Sequence, residues 1–225
     1  MELEEHRCHT GRMTDTVDEI ASIRIELRHT EPPIWRQVEV PTSITMKGLH
    51  DVVQAAMGWF DSHLWEFTVD RQRYGPPMGQ DWGQDWGQDW GTQPSRDAAK
   101  VRLRDVLRPP RTTIDYLYDF GDGWEHRLTV TKLRQGEPGI GYPRYVAGER
   151  NAPPEDCGGI PGFYEQLDIL ADPQHPDHEE VAEWFDDYDP EALDELVIKT
   201  ALGRIAKRRN AAAARLAKKK STSTS

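Results

Sequence analysis

His63, His126, Asp156 and Cys157 supply two imidazoles, a carboxylate and a thiol, the donor types that zinc and other divalent transition metals take. An ion held by three of them with a fourth position open would polarise water for hydrolysis. No two of these residues stand at a Cys-x-x-Cys or His-Glu-x-x-His spacing, so their convergence has to come from the fold. His175 and His178 are further candidate ligands. They also have a plain structural reading, because Asp177 followed by Glu180 with Pro176 ahead has the form of a helix-starting capping box. Cys157, just before Gly158-Gly159, equally suits a small packed side chain in a turn. A second set, Asp119, Asp122 and Glu125, offers carboxylates for a divalent cation or a basic partner. Against it, Asp122 between two glycines suits a turn and Asp119 a solvent face. Trp35, Trp59, Trp65 and Trp124 fit either a ligand pocket or a core, and Arg36 is a candidate ion partner for one of the acids.

Most of these groups depend on a single element. In residues 114–130, Ile114, Tyr116, Tyr118 and Phe120 alternate on one face, and Trp124, His126, Leu128 and Val130 alternate on the return strand. With the loop centred on Asp122, the predicted pairs are Phe120 with Trp124, Tyr118 with His126 and Tyr116 with Leu128. A slip by one residue would instead set Glu125, Arg127 and Thr129 against the apolar face. His126 should therefore point inward, with Asp119, Glu125 and Arg127 on the far face and Asp122 at the tip. The ligand-pocket candidates are Tyr118, Asp119, Asp122, Trp124, Glu125 and His126. A buried imidazole beside a phenol serves as a ligand, a proton-transfer group or a structural hydrogen bond, and the residues alone leave all three open.

Around this hairpin the pattern changes period several times. Ile23, Ile25 and Leu27 predict a strand, Glu31-Pro32-Pro33 a turn, and Trp35 to Val40 a second strand stopped by Pro41. From Thr45 the apolar positions Leu49, Val52, Val53, Ala56 and Met57 take helical spacing, ended by Gly58. Trp65, Phe67 and Val69 alternate again, and Tyr74 would close a short partner strand. A short helix is expected around Val101 to Leu107. Amphipathic helices are expected over Phe163 to Leu170, His178 to Phe185 and Leu193 to Ile205, with Ala211 to Lys220 extending the last. The predicted fold class is α+β: an antiparallel sheet packed against amphipathic helices in a single domain over residues 19–202. It carries a disordered N-terminus (1–18), a loop insertion (75–98) and a basic Ala/Lys-rich tail (203–225).

Charge divides the chain. Nine of the 28 Lys and Arg and none of the 39 acids lie in residues 199–225, so the first 198 residues carry a net charge of −20. A body of that sign repels a phosphate backbone at long range, which confines any nucleic-acid contact to the tail: Lys207, Arg208, Arg209, Lys218, Lys219 and Lys220. Folding back on the acidic body is the competing use of these cations. Residues 79–91 contain three tandem Gly-Gln-Asp-Trp copies, too short a period for a solenoid unit and best explained as an expansion tolerated in a surface loop. A base-stacking arm built from Trp82, Trp86 and Trp90 is the sharper alternative. With no membrane span, no secretory signal and two cysteines, a cytoplasmic location with reduced thiols is expected.

The motifs Pro33-Ile34-Trp35-Arg36, Leu49-His50, Met57-Gly58-Trp59 and His63-Leu64 are followed by Tyr116-Leu117-Tyr118-Asp119-Phe120-Gly121-Asp122-Gly123-Trp124-Glu125-His126. Then come Pro153-Pro154-Glu155-Asp156-Cys157-Gly158-Gly159, Gly162-Phe163-Tyr164 and His175-Pro176-Asp177-His178. In this order they resemble the plasmid pRiA4b ORF-3-like family over about residues 20–200. The resemblance implies a compact α+β domain found on plasmids, insertion elements and chromosomes, with no established activity. A resolvase-like label attached to some relatives fails on these residues. No serine stands in an arginine-rich site, and Tyr116 and Tyr118 sit among Asp115, Asp119 and Asp122, which would repel a phosphate. The expected function is a mobile-element-associated accessory or binding protein. The alternative is a metal-dependent hydrolase around His126, Asp156 and Cys157.

Overall fold

A computed structural model describes residues 18–77, 95–108, 110–186 and 188–222. The elements in chain order are β1 (Glu19–Leu27), β2 (Ile34–Pro41), α1 (Met46–Met57), β3 (Trp65–Val69), β4 (Gln72–Gly75), β5 (Arg96–Asp97), α2 (Leu103–Val106), β6 (Thr112–Tyr118), β7 (Trp124–Gln135), β8 (Arg144–Glu149), α3 (Gly159–Ala171), α4 (His178–Phe185) and α5 (Glu195–Thr222). The strands form one eight-stranded sheet in the order β5-β4-β3-β6-β7-β1-β2-β8. The fold is α+β, but the sheet is mixed: β4 and β5 run parallel at one edge, while every other neighbouring pair is antiparallel. Both ends of the expected 75–98 insertion are thus tied into the sheet. The expectations for residues 1–17 and the Gly-Gln-Asp-Trp repeat lie outside the described residues.

Strand alternation gives the sheet two unlike faces. Ile23, Ile25, Leu27, Val38, Phe67, Ile114, Tyr116, Trp124, His126 and Leu128 are buried on one of them. The other is polar and carries cross-strand ion pairs such as Arg127 with Asp115 and Arg73 with Glu66. Helix α1 lies on the buried face, contributing Leu49, His50, Val52, Val53, Ala56 and Met57 to the interior. Its ends follow the chemistry read from the sequence. The Thr45 hydroxyl accepts from the Gly48 N–H at 3.1 Å, and Gly58 closes the helix at φ 81°, where a side chain would be strained.

Several expectations are corrected. The β6–β7 pairs are Tyr118 with Trp124, Tyr116 with His126 and Ile114 with Leu128, two positions from those predicted. An even slip keeps every side chain on its expected face. It arises because residues 119–123 form a longer turn, closed by the Gly123 N–H on the Asp119 carbonyl at 2.7 Å, which places Phe120 in the turn and ends the ladder at Tyr118 and Trp124. The Gly/Pro-rich segment after β7 hides a strand, β8, on the far edge of the sheet. The capping box at Asp177 does not form, because Asp177 makes no side-chain cap bond. Arg36 is no ion partner: it is buried and donates to the carbonyls of Trp35, Ala56 and Glu149. No helix among the described residues is long and apolar enough to cross a membrane.

Candidate functional site

Three connecting segments meet at one end of the sheet. The first runs from the left-handed end of α1 through Trp59, Phe60, Asp61, Ser62 and His63 into β3. The second is the β6–β7 turn, 119–123, and the third is the stretch 151–159 leading into α3. Each is tied to its neighbours by named bonds. The Asp119 N–H donates to the Leu64 carbonyl at 2.9 Å, the Trp59 indole N–H to the Pro153 carbonyl at 2.8 Å, and the Phe60 N–H to Glu155 Oε2 at 2.8 Å. The Tyr118 hydroxyl donates to Glu155 Oε1 and accepts from the Ser62 N–H at 2.9 Å. Burial and the adjoining carboxylate push the Tyr118 phenol well above its ordinary range, so it stays a donor.

The Asp-Phe-Gly-Asp-Gly turn and the Asp-Cys-Gly-Gly segment are one interlocked unit. The Gly158 N–H donates to Asp122 Oδ2 at 3.1 Å, and a Cβ on Gly159, which sits at φ 68°, would lie 2.1 Å from the Asp122 carbonyl oxygen. Only glycine allows that approach. The docking brings Asp156 to the turn, where Asp119 is also directed inward. Asp119 sits at φ 52°, with Oδ1 accepting from the Gly121 N–H at 2.9 Å, which leaves Oδ2 toward His63.

His63 Nε2 lies 2.8 Å from Asp156 Oδ1 and 3.7 Å from Asp119 Oδ2. These are contacts of distance only: Nε2 is shielded from solvent and makes no hydrogen bond of acceptable angle. The three ligand atoms lie within 4.8 Å of one another. Donors held at about 2.1 Å around a tetrahedral or octahedral ion stand roughly 3–3.5 Å apart, so modest side-chain rotation would close them on one. Beside the triad, and sharing Asp156 with it, opens a groove of about 440 Å³ walled by Trp59, Phe60, Pro153, Pro154, Trp184 and Tyr188. Phe60 is 84% exposed and Trp184 47%, so the groove presents aromatic surface to solvent.

Of the four metal ligands expected from the sequence, His63 and Asp156 are brought together. His126 and Cys157 are not part of either group of metal-compatible donors among the described residues. His126 is fully buried in the aromatic layer between Trp59 and Tyr116, its Nδ1–H donating to the Trp124 carbonyl at 3.1 Å. Burial pushes its pKa down to about 3, so the ring is a neutral core imidazole, paired across the strands with Tyr116, two positions from the predicted Tyr118. Cys157 is buried, and burial together with the nearby Asp122 carboxylate lifts its thiol to about 12, far from thiolate chemistry at neutral pH. His178 Nδ1 faces the Ile169 carbonyl at 3.1 Å and His175 Nδ1 accepts from the Asp177 N–H at 3.2 Å, both local helix-end roles. Of the pocket candidates, Tyr118 and Trp124 are core, and Glu125 lies on the polar face paired with Arg28 at 2.7 Å. Asp119 is the one that changes role, from a solvent-face residue to a site residue. Glu155 and its bond to Tyr118 were not anticipated. The only signal was an acidic pair, Glu155-Asp156, in a motif that must turn sharply at two glycines.

A second donor group, His50, Asp51 and Asp61, is closed already. His50 Nδ1 meets the Tyr116 hydroxyl at 2.8 Å and its Nε2 meets Asp61 Oδ1 at 2.7 Å. Gln54 completes a ring, donating to the Tyr116 hydroxyl at 3.0 Å and accepting from the Asp61 N–H at 2.9 Å. The directions are consistent if Nε2–H donates to Asp61 and Tyr116 donates to Nδ1. Lys47 Nζ bridges Asp51 at 2.6 Å and Asp61 at 3.3 Å, filling the place of a cation.

The sequence profile described as plasmid pRiA4b ORF-3-like protein matches residues 19–196. The chain belongs to the plasmid pRiA4b ORF-3-like family. Within that family's span lie all three segments of the site. An uncharacterised protein, y4hQ, of Sinorhizobium fredii strain NGR234 is 37% identical over 181 residues, covering 78% of this chain and 87% of the relative. The crystal structure of a protein of unknown function, MM3350, from Methanosarcina mazei Go1 is similar with a TM-score of 0.71 at 30% identity, covering 81% of this chain and 97% of that one. The pRiA4b ORF-3-like match stops at residue 196, so nearly all of α5 lies beyond it.

Proposed function

We propose that this chain is a plasmid-associated accessory protein that works by binding, and that its ligand is engaged where the three segments meet. A divalent transition-metal ion held by His63, Asp119 and Asp156 anchors that ligand, and the aromatic groove beside it receives the rest. The observation that carries the reading is His63 Nε2: a shielded nitrogen, facing two carboxylates, with no hydrogen bond of its own. Such an arrangement is costly to leave unsatisfied and is relieved by a cation at the point the three donors face. A hydrolase centred on His126 and Cys157 lacks comparable support, because the imidazole is sealed in the core and the thiol is held protonated.

Calorimetric titration of chelator-stripped protein with Zn²⁺ and Mn²⁺ tests the reading. One ion per chain is expected, with affinity lowered about 100-fold or more in H63A and D119N, while C157A keeps it. Thermal stability should rise with the ion by about 2.7 kcal/mol at a hundredfold excess over Kd. Absence of binding, or equal binding by H63A, removes the proposal.

A further inference from the structure

Helix α5 separates its side chains by sign and by face. Ile198, Leu202 and Ala206 are buried against the body, and Arg209 joins them there, its guanidinium on Asp18 at 2.6 Å and on the Ser43 hydroxyl. Arg209 therefore leaves the set of tail cations available to a partner. At about 100° per residue, the side of the helix opposite this contact face carries Arg204, Lys207, Arg208 and Arg215, with Lys218 and Lys219 on the same line. Arg204, Lys207, Arg208 and Arg215 are exposed and pair with no acid among the described residues. On the body, Arg24, Arg28, Lys47, Arg73, Arg127, Arg134 and Arg144 are each ion-paired, and the cations without an acid there among the described residues, such as Arg71, Arg96, Arg111 and Lys132, are scattered over several elements rather than aligned on one helix face. The stripe spans about 22 Å from residue 204 to 219.

From these observations we infer that α5 is a docking element for double-stranded DNA, its stripe lying along the phosphates of one groove. Three features favour this occupant. The stripe is exposed and its first four cations have no internal partner to give up, so each phosphate contact releases counterions without breaking an ion pair. The outer half, Asn210-Ala211-Ala212-Ala213-Ala214-Arg215-Leu216, is slim, and a helix of about 10–12 Å diameter fits the roughly 12 Å major groove of B-DNA, whereas the major groove of A-form RNA is too narrow. An anionic membrane surface is a poor match: a helix lying in lipid needs an apolar face of Trp, Phe or Leu, and beyond Ala206 the described side chains offer only Leu216. The body, at net −20 over residues 1–198, is repelled by the duplex, so contact is confined to the helix that projects from it. Four to six phosphate contacts without base-edge readout make the binding tolerant of sequence. The inference is independent of the metal proposal, since no residue is shared.

Fluorescence anisotropy of the full chain with a labelled random-sequence duplex is the test. Binding is expected at about 50 mM salt, with log K falling against log salt at a slope of about −3.5 to −5.5. The variant R204Q/K207Q/R208Q/R215Q should lose about 100-fold or more in affinity with an unchanged circular-dichroism spectrum. The charge-matched control R24Q/R28Q/K100Q/R127Q should stay within about threefold of the parent, since those cations are already paired. No anisotropy change at low salt overturns the inference, as does equal loss in the stripe and control variants. Stripe-dependent binding to phosphatidylserine vesicles or stripe-dependent self-association in sedimentation, either without duplex binding, overturns it in favour of that partner.

Discussion

Two buried histidines make opposite use of their nitrogens, and together they set an acid limit on the fold. His50 has both satisfied, by Tyr116 and Asp61, and is stacked on Trp65 with ring centroids 4.0 Å apart. His126 uses one and leaves Nε2 bare in the aromatic layer. Burial dominates in both, pushing His50 down to about 4 despite Asp61 and His126 down to about 3. Each folded-state value lies below the ordinary 6.5, so the unfolded chain takes up protons that the folded chain refuses. The associated stability is fully present above about pH 6.5 and drains as pH falls toward 4 and 3, by up to about 1.4 kcal/mol per pH unit for each imidazole. Urea unfolding between pH 7 and 5 should show that loss, and H126F should lessen its slope by one proton. A variant curve parallel to the parent's would mean that His126 does not fold as a sealed neutral ring.

The site exists because two loops dock. The β6–β7 turn and the segment entering α3 approach so closely that Gly159 has no room for a methyl group, while Gly123, at φ 70°, has open space around its Cβ position. The two glycines should therefore respond differently. Gly123→Ala meets only the left-handed backbone penalty, about 1–2 kcal/mol, whereas Gly159→Ala adds a collision with the Asp122 carbonyl and should cost at least about 3 kcal/mol. Denaturant midpoints separate these values. Because Gly159 holds the segment that carries Asp156, Gly159→Ala should also weaken metal binding where Gly123→Ala does not. Equal midpoints for the two variants would contradict the docking. Arg36 plays a comparable joining role at the other edge, tying β2 to the β8 end at Glu149 and to the last turn of α1 at Ala56 through carbonyls alone. Burial lowers its pKa to about 10, which leaves it charged at neutral pH.

Across the whole molecule, α5 serves in two halves. Its first half completes the interior, and residues 210–216 are exposed on every side. Truncation after Asn210 should change unfolding free energy by less than about 1 kcal/mol, whereas Leu202→Ala, at a side chain with no exposure, should cost about 3 kcal/mol. Thermal melts of the two variants test this, and a large loss on truncation would show that the outer half contributes to folding. Much of this organisation was legible in the chain. The alternation around Tyr116 and His126, the helical stripe from Leu49 to Met57 with its Thr45 and Gly58 ends, and the gathering of cations without acids beyond residue 198 are local patterns. Each is set by the 2.0 or 3.6 residue period, or by charge, and needs no knowledge of the partner surface. Faces could therefore be read, but cross-strand partners could not, because a slip of two positions leaves every face unchanged. The parallel β4–β5 edge and the β8 strand likewise left no local pattern. The triad depended most on tertiary structure: positions 63, 119 and 156 share no spacing, and it took a left-handed Asp119 and a turn docked on Gly159 to aim two carboxylates at one nitrogen.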